Sequence, residues 1–403
     1  MSSQHKIRFS VSPPLSGLAR SKGGETPCCT YDLNLQFLCF LKLNYGQAGQ
    51  LDSSFGGKGW VTANFPKINF YYESALQILP QKNGSYIVVI GGLNGGPHAL
   101  ARFLSDGTLD KSFGNEGYSV VGGLDIVKAA QQSDGKIVVF GNNSFILARY
   151  NIDGTPDNTF GINGRQTVDF NIASIAIQSD GKIVAGGNAG ADFAIGRYNS
   201  DGSPDLSFGQ GGKLTYDFFG LEDKIYSVAV QQDGKIIVAG TILTAPICSN
   251  CDYKAESVLV QYNSDGSLDH SFGEDGKITT LGNIIALQDN GKILVAGTTW
   301  NGIDNDVVLT RYNSNGSLDL SFNRDGKAIA DFGYDDVFSS LAIQSDGKIL
   351  LTAWTGGQIF ENSGDFALAR YNIDGSLDYT TFNSNFLWYY KKCFLKLSFI
   401  FCT

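Results

Sequence analysis

The stretch Tyr262–Gly276, YNSDGSLDHSFGEDG, is the clearest copy of a motif that recurs along the chain. Further copies begin at Phe103, Tyr150, Tyr198, Tyr312 and Tyr371, and a degraded copy begins at Tyr45. One aspartate is aligned in every copy, and these residues are Asp52, Asp110, Asp157, Asp205, Asp269, Asp319 and Asp378. Their mean spacing is about 54 residues. A period of this size, filled with strand-like segments, indicates a β-propeller or a β-solenoid.

The composition agrees with a turn-rich all-β protein. The 403 residues include 50 glycines and only 9 prolines, and 42% are hydrophobic, which argues against a disordered chain. The formal net charge is −9 and no run of lysine or arginine stands out, so neither nucleic acid nor an anionic membrane is an expected partner. The apolar runs Leu33–Leu43 and Cys393–Cys402 are too short for a transmembrane segment, and no clear signal peptide is visible.

One complete repeat shows the strand pattern most clearly. It contains four predicted strands, which are Ser174–Gln178, Lys182–Gly187, Phe193–Asn199 and Lys213–Phe218. Each is short, rich in β-branched or aromatic residues, and bounded by glycine, aspartate or asparagine. The Asp–Gly pair between the first two strands is a hairpin signal, and the chain contains six such hairpins if two Asn–Gly pairs are included.

The first two strands of each repeat predict the architecture. They are apolar almost throughout, as in Val228–Gly240, and such strands belong to sheets that are covered on both faces. Four-stranded sheets packed around an axis, the blades of a β-propeller, meet that need, whereas a solenoid takes shorter repeats. Six hairpins predict six blades. Seven would require residues 5–40 or 385–402 to supply a further sheet.

The predicted ring closes through the two ends of the repeat array. The last repeat has a third strand at Phe366–Asn372 but no good fourth strand, while Gly59–Phe65 is a fourth strand without a hairpin before it. Pairing these two ends would complete the last blade. The predicted domains are therefore an irregular tail (1–42), the propeller (43–385) and an apolar tail (386–403).

The motifs LARYN-x-DGSLD-x-SFG and AIQSDGKILVAG, in fixed order, resemble the delta-60 repeats of bacterial proteins. The resemblance covers about Tyr45–Phe382, with Gln261 in place of the arginine and Asn323 in place of the glycine as departures. It implies a β-propeller and an extracellular or cell-envelope location. It brings no defined function, because members of the family are mostly uncharacterised.

Two sets of repeated polar residues have both a structural and a functional interpretation. The arginines of the RYN motif are expected to form bidentate pairs with the aligned aspartates of their own repeats, and a functional arginine ring is the alternative. Asn199, Asp201 and Asp205 offer side-chain oxygens at alternate positions around a glycine turn, which calcium prefers. The alternative for this motif is an Asx-turn network between the third and fourth strands.

The two ends of each predicted sheet differ in regularity. The uniform end carries the links between first and second strands and between third and fourth strands. The variable end carries the links between second and third strands and the connections between blades. Its longest second–third loops are predicted at Thr241–Glu256, Thr298–Asp306 and Trp354–Asp365. Variable loops on a rigid scaffold are common binding sites.

Aromatic and acidic residues of the variable end are the candidate ligand-binding residues. They are Trp300, Asp304, Asp306, Tyr334, Asp335, Asp336, Trp354 and Asp365. Aromatic rings beside carboxylates suit a glycan or a cationic peptide, and a solvated acidic rim is the alternative. Cys248 and Cys251 lie in the longest loop and are predicted to form a disulfide, with free thiols or metal binding as alternatives.

These residues lead to a non-enzymatic binding or adhesion module as the first functional hypothesis. It requires no cofactor, although calcium remains possible. The alternative is a hydrolase or lyase, possibly assisted by calcium, that uses Asp304, Asp306, Asp335 and Asp336, with His98 as the histidine placed at the variable end. A purely structural array is the third possibility. The fold does not decide among them, since propellers host all three.

Overall fold

The computed structural model describes residues 53–63, 73–92, 97–124, 126–141, 145–218, 221–244, 254–333, 335–356 and 365–378. The chain forms two compact units, Met1–Gly123 and Leu124–Thr403. All regular secondary structure of the described residues is β, in 23 strands. No helix long and apolar enough to cross a membrane occurs in this described part of the chain.

The first unit contains one sheet, sheet 1. Its strands are β1 (Glu73–Pro80), β2 (Tyr86–Gly92), β3 (His98–Phe103) and β4 (Tyr118–Val121), paired antiparallel in chain order. Buried residues of β2 and β3, including Val88, Ile90 and Ala101, form its core. Phe55 and Val61, from the segment before the sheet, pack against that core.

The second unit contains five sheets of the same meander topology. Sheet 2 consists of β5 (Ile126–Gln131), β6 (Ile137–Gly141), β7 (Ile146–Tyr150) and β8 (Arg165–Thr167). Sheet 3 consists of β9 (Asn171–Ile177), β10 (Ile183–Ala189), β11 (Asp192–Tyr198) and β12 (Lys213–Tyr216). Sheet 4 consists of β13 (Lys224–Val230), β14 (Ile236–Thr244), β15 (Lys254–Tyr262) and β16 (Lys277–Thr280).

Sheets 5 and 6 complete the series. Sheet 5 consists of β17 (Ile284–Leu287), β18 (Ile293–Trp300), β19 (Asn305–Tyr312) and β20 (Lys327–Ala330). Sheet 6 has three described strands, β21 (Asp336–Ile343), β22 (Ile349–Thr355) and β23 (Asp365–Tyr371). Six antiparallel meander sheets confirm the predicted all-β, six-bladed propeller.

The predicted ring closure concerns the fourth strand of sheet 6. Within Gly59–Phe65 the structure describes residues up to Ala63 and assigns none of them to a strand. The rest of that segment and the two predicted tails lie outside the described residues, so closure by this stretch stays a prediction.

The hydrophobic cores of the second unit lie between successive sheets. Val184, Phe193 and Ile195 of sheet 3 share one core with Val238 and Val260 of sheet 4. Equivalent cores join sheets 2 and 3, sheets 4 and 5, and sheets 5 and 6. Each middle strand is therefore buried on both faces, which is the physical reason for its nearly continuous apolar sequence.

Two hairpins at the variable end have longer strands than predicted. Strands β14 and β15 remain paired as far as Thr244 and Lys254, and β18 and β19 as far as Trp300 and Asn305. The predicted loops Thr241–Glu256 and Thr298–Asp306 are therefore partly strand. Their polar sequences suggested loops, but antiparallel backbone pairing continues past the edge of the buried core.

Candidate functional site

The repeated arginines form ion pairs at the uniform end. Arg197 Nε lies 2.7 Å from Asp205 Oδ2, and Lys182 Nζ lies 3.0 Å from the same oxygen. The hydroxyl of Ser207 donates to the other carboxylate oxygen, Oδ1, at 2.7 Å. The predicted pairing of arginine and aspartate within a repeat is confirmed, but the contact runs through one oxygen and is not the bidentate fork that was expected.

These contacts set the protonation state of the aligned aspartates. Burial by itself raises the pKa of the Asp205 carboxyl, but hydrogen bonds from Ser207 and Lys182 and the charge of Arg197 outweigh it. The pKa of Asp205 therefore lies well below its usual range, as does that of Asp157 in the preceding repeat. Both carboxylates are charged across the physiological pH range.

The residues of the NxDGxxD motif make contacts within their turn. Asp201 Oδ1 accepts hydrogen bonds from the Ser203 amide at 2.9 Å and from the Ser203 hydroxyl at 2.7 Å. The Asn199 side-chain amide donates to that same hydroxyl at 3.0 Å. These bonds shape the link between β11 and β12. Calcium at Asn199, Asp201 and Asp205 stays a prediction.

The same motif joins neighbouring sheets of the second unit. Arg149 of sheet 2 donates through Nη1 to the carbonyl of Ser200 in sheet 3, and Gly161 N donates to the carbonyl of Asp201 at 2.8 Å. The guanidinium of Arg149 also lies over the Phe160 ring, 4.7 Å from its centroid. The repeated polar groups of the uniform end thus contribute to the joints between sheets.

Three aspartates converge at the variable end, where sheets 5 and 6 meet. Asp306 is the second residue of β19, Asp331 follows the last residue of β20, and Asp336 is the first residue of β21. One carboxylate oxygen of each lies within 4.8 Å of the others. Among the described residues, this is the one group of three or more acidic, histidine or cysteine side chains that converges so closely.

Most of this cluster is buried. Asp336 is 0% exposed and Asp306 is 4% exposed, while Asp331 reaches the surface. Asp336 Oδ2 accepts from the Phe332 amide at 2.7 Å, and Asp306 Oδ2 accepts from the Asn301 side-chain amide at 2.9 Å. The other oxygen of each buried carboxylate, Oδ1, accepts no hydrogen bond from the described residues.

The three aspartates bring negative charge together, and no neighbouring cation of the described residues compensates it. Burial is the largest cause that raises the pKa of the Asp336 carboxyl to about 6; the charges of Asp331 and Asp306 act in the same direction, and the Thr355 side chain and the Phe332 amide oppose them. No ion pair links any of the three aspartates to a lysine, arginine or histidine of the described residues. The site is therefore suited to an added cation or proton.

A short hairpin beside the cluster presents two exposed apolar residues. Asn301 Oδ1 accepts from the amides of Ile303 at 2.8 Å and Asp304 at 3.1 Å, and its Nδ2 donates to Asp304 Oδ1 at 2.7 Å. This network fixes the turn between β18 and β19. Trp300 is 62% exposed and Ile303 is also exposed.

Asp335 connects this hairpin to the start of sheet 6. Its Oδ1 accepts from the Asn305 backbone amide at 3.0 Å and from the Asn305 side-chain amide at 3.1 Å. The carboxylates of Asp304 and Asp335 therefore hold the hairpin in place, whereas those of Asp306 and Asp336 belong to the converging cluster.

The remaining predicted residues do not belong to the acidic cluster or lie outside the described residues. Trp354 is half-buried on β22, directly opposite Phe366 on β23, and Asp365 is exposed at the start of β23. Tyr334, Cys248 and Cys251 lie outside the described residues. His98 begins β3 of the first unit and is buried.

The loop assignment of five predicted residues is wrong. Trp300, Asp306, Asp336, Trp354 and Asp365 all lie in strands, because the strands continue past the buried core to the variable end. They remain at that end of their sheets.

Two residues of the site escaped the sequence reasoning. Asp331 had a signal, because an Asp–Phe pair follows the fourth strand in several repeats, at Asp169, Asp217 and Asp331. In the sequence this pair was indistinguishable from the end of the strand. Thr355 had no signal, since only the register of β21 against β22 places it opposite Asp336.

Comparison with known proteins identifies the repeats. Six segments match the family described as "Domain of unknown function (DUF5122) beta-propeller", at residues 83–113, 132–160, 178–208, 231–272, 288–322 and 344–380. Together the segments cover just over half of the chain. No curated protein matches the chain.

Several solved structures are similar to the chain at low sequence identity. A protein of unknown function from Bacteroides caccae is 16% identical, with a TM-score of 0.39, over 71% of this chain and 92% of its own. Virginiamycin B lyase from Staphylococcus aureus is 12% identical, with a TM-score of 0.40, over 73% and 87%. A quinonprotein alcohol dehydrogenase-like protein from Bacteroides thetaiotaomicron is 13% identical, with a TM-score of 0.44, over 76% and 65%. These values support no transfer of activity.

Proposed function

The chain belongs to the DUF5122 β-propeller family, and from that premise we propose that it is a non-enzymatic binding module that holds a glycan or peptide at the variable end of sheets 5 and 6. The single observation that carries the proposal is the Trp300 side chain, which is 62% exposed on a hairpin whose turn is closed by hydrogen bonds. An exposed indole beside carboxylates can stack on a sugar ring or on a cationic side chain.

The uniform end is a less suitable binding surface than the variable end, because its polar groups already bind one another. Its repeated arginines and aspartates bind one another and the backbone of the next sheet, as in Arg197 with Asp205 and Ser264. Groups engaged in this way offer little to a ligand. The variable end differs from sheet to sheet and retains exposed aromatic and acidic residues, as binding surfaces on rigid scaffolds do.

A capture experiment tests the proposal. The full chain is applied to arrays of glycans and of peptides, and the dissociation constant of each hit is measured by calorimetry. Trp300→Ala should weaken the ligand about 30-fold, which corresponds to roughly 2 kcal/mol for removal of a central aromatic contact. Leu206→Ala, which truncates an exposed residue of the uniform end, is the control and should leave the affinity unchanged.

Equal affinity of the Trp300→Ala variant and the wild-type chain would contradict the proposal. Hits on the glycan array alone, or on the peptide array alone, would identify the ligand class. Nucleic acid is not an expected ligand because the net charge is −9.

The proposal extends to the repeat type and the location of the protein. We take the repeats to be delta-60 repeats of a bacterial protein and expect an extracellular or cell-envelope location. Detection of the natural protein in the secreted or envelope fraction of its host checks this expectation, and exclusive recovery from the cytoplasm contradicts it.

A second candidate is a hydrolase or lyase. The observation that favours it is the convergence of the buried carboxylates of Asp306 and Asp336, a pairing that general acid–base chemistry uses. Turnover of any ligand found on the arrays, measured by mass spectrometry, would support this candidate if Asp336→Asn abolished it. Quantitative recovery of intact ligand would exclude it for that ligand.

A further inference from the structure

The acidic cluster of sheets 5 and 6 contains two buried carboxylate oxygens that accept no hydrogen bond from the described residues. They are Oδ1 of Asp306 and Oδ1 of Asp336. Leaving such atoms unsatisfied is costly, on the order of 1–3 kcal/mol each and more for charged groups. Both oxygens belong to converging carboxylates, so a single partner placed among them could satisfy the two together.

Thr355 brings a neutral oxygen to the cluster. It is the last residue of β22, 2% exposed, and its Cα lies directly opposite that of Asp336 in the β21–β22 pair. Its hydroxyl interacts with the Asp336 carboxylate and therefore lies at the cluster. It is a fourth oxygen-bearing group beside the three carboxylates.

We propose that Asp306, Asp331 and Asp336 form a binding site for a hard divalent cation of the calcium class, with the hydroxyl of Thr355 as a neutral ligand. One oxygen of each of the three carboxylates already lies within 4.8 Å of the other two. One ion placed among them would neutralise most of their charge and would satisfy the buried oxygens together.

The type of ligand atom selects the class of ion. All four groups offer oxygen, and hard cations such as calcium prefer carboxylate, hydroxyl and carbonyl oxygens. No cysteine or histidine belongs to the cluster, which disfavours zinc and other ions that prefer sulfur or nitrogen ligands. The exposed position of Asp331 leaves one side open to water, which calcium and magnesium sites commonly retain.

Sheets 3 and 4 contain a matched set of residues that does not form such a site. Asp192, Asp217 and Asp223 occupy the equivalent positions, and the Phe218 amide donates to Asp223 Oδ2 at 3.1 Å, as Phe332 does to Asp336. These three described carboxylates do not converge as closely. The turn between β10 and β11 also lacks a counterpart of the Asn301 side chain that holds Asp306.

A bound ion would join three segments of the variable end. These are the β18–β19 hairpin through Asp306, the segment after β20 through Asp331, and the start of β21 through Asp336. The inference goes beyond the proposed function and does not depend on it, because it concerns a cation and residues other than Trp300.

Calorimetric titration of the full chain, freed of metal by chelator and dialysis, tests the inference. Calcium chloride is titrated first, followed in separate experiments by magnesium and manganese chloride. We expect calcium to bind at a single site. Asp331→Asn should raise the dissociation constant for calcium roughly tenfold or more, because the number of charged ligands sets calcium affinity over several orders of magnitude.

Asp217→Asn is the matched control. Both Asp217 and Asp331 are exposed and precede a phenylalanine after the fourth strand, so neither substitution should disturb the fold, and circular dichroism checks this. The control should bind calcium as the wild-type chain does. A rise of the melting temperature with calcium, present in the control and lost in Asp331→Asn, is the second readout.

Two results would overturn the inference. One is the absence of binding heat with all three cations at millimolar concentration, which would mean that the buried carboxylates share a proton instead. The other is an unchanged calcium affinity in Asp331→Asn. Either result would leave the Trp300 capture experiment unaffected, so the two proposals can fail separately.

Discussion

The aligned aspartates of the uniform end differ in the number of cations that contact each of them. Asp205 has two, Arg197 at 2.7 Å and Lys182 at 3.0 Å. Asp269 has Lys235 alone among the described cations, at 2.7 Å, because Gln261 takes the place of the arginine. The Gln261 side chain donates instead to Gln231.

This difference predicts unequal effects of the same substitution. Lys235→Met should destabilise the protein by about 2 kcal/mol, between the values for exposed and buried ion pairs, because it leaves the buried carboxylate of Asp269 without a cation while Lys235 itself is partly exposed. Lys182→Met should cost about 1 kcal/mol or less, because Arg197 still neutralises Asp205. Urea unfolding at pH 7 measures both values, and equal losses would show that the arginine contributes nothing to the charge balance.

The buried carboxyl of Asp223 should make the stability of the protein depend on pH. Burial raises its pKa, so the folded state holds the proton more tightly than the unfolded state does. Its contribution to stability is therefore complete below the unfolded pKa of about 3.9 and is lost as the pH rises through the folded pKa. Asp223→Asn should remove this loss and make the variant more stable than the wild type at pH 7.

Urea unfolding at intervals between pH 4 and pH 8 checks this prediction. The difference between Asp223→Asn and wild type should grow with pH over the window above the unfolded pKa. A constant difference across that range would mean that Asp223 does not titrate differently in the two states.

At the scale of elements, the joint between successive sheets depends on one close approach. Gly202 adopts φ +89° in the turn of sheet 3, and a Cβ at this position would come within 2.8 Å of the Phe160 ring from sheet 2. The phenylalanine of one repeat thus packs on the glycine of the next. Gly266 repeats this contact with Phe208.

Alanine substitutions separate the contact from the backbone strain. Gly190→Ala introduces a side chain at φ +63° with no atom within 4 Å, so it should cost only the strain of about 1–2 kcal/mol. Gly202→Ala should cost about 1–3 kcal/mol more, because the ring of Phe160 must move. Thermal unfolding of the two variants checks the difference, and equal melting temperatures would contradict the close approach.

Local sequence patterns predicted the elements well and their interactions only in part. The glycine-bounded apolar runs predicted the four strands of sheet 3 to within three residues at each end, because turn chemistry and burial are local properties. The pairing of Arg197 with Asp205 followed from the need of a buried charge for a partner. Thr355 could not be predicted, because its place beside Asp336 depends on the register between β21 and β22.

The whole molecule carries a net charge of −9, and this charge distinguishes the two ligand classes. A basic peptide is attracted to the acidic surface over a distance of about 10 Å at 0.1 M salt, and screening weakens that attraction as salt increases. A neutral glycan that stacks on Trp300 experiences no such attraction. Stacking depends on contact and on the release of water.

A salt titration of ligand binding tests whether the acidic surface attracts the ligand. Between 50 mM and 500 mM sodium chloride, the dissociation constant of a basic peptide should rise severalfold, whereas that of a neutral glycan should remain within about twofold. Surface plasmon resonance would show the peptide effect mainly as slower association. A salt-independent peptide affinity would mean that recognition does not use the acidic groups.

The joints between sheets also bear on how such a chain can change over generations. Within the second unit, the arginine or glutamine of one repeat donates to a backbone carbonyl of the next, and its phenylalanine packs on a glycine of the next. A duplication, deletion or exchange of one repeat by recombination therefore creates a joint of the same chemistry as before. Recombination can therefore bring together different variable-end surfaces without changing the contacts between neighbouring repeats.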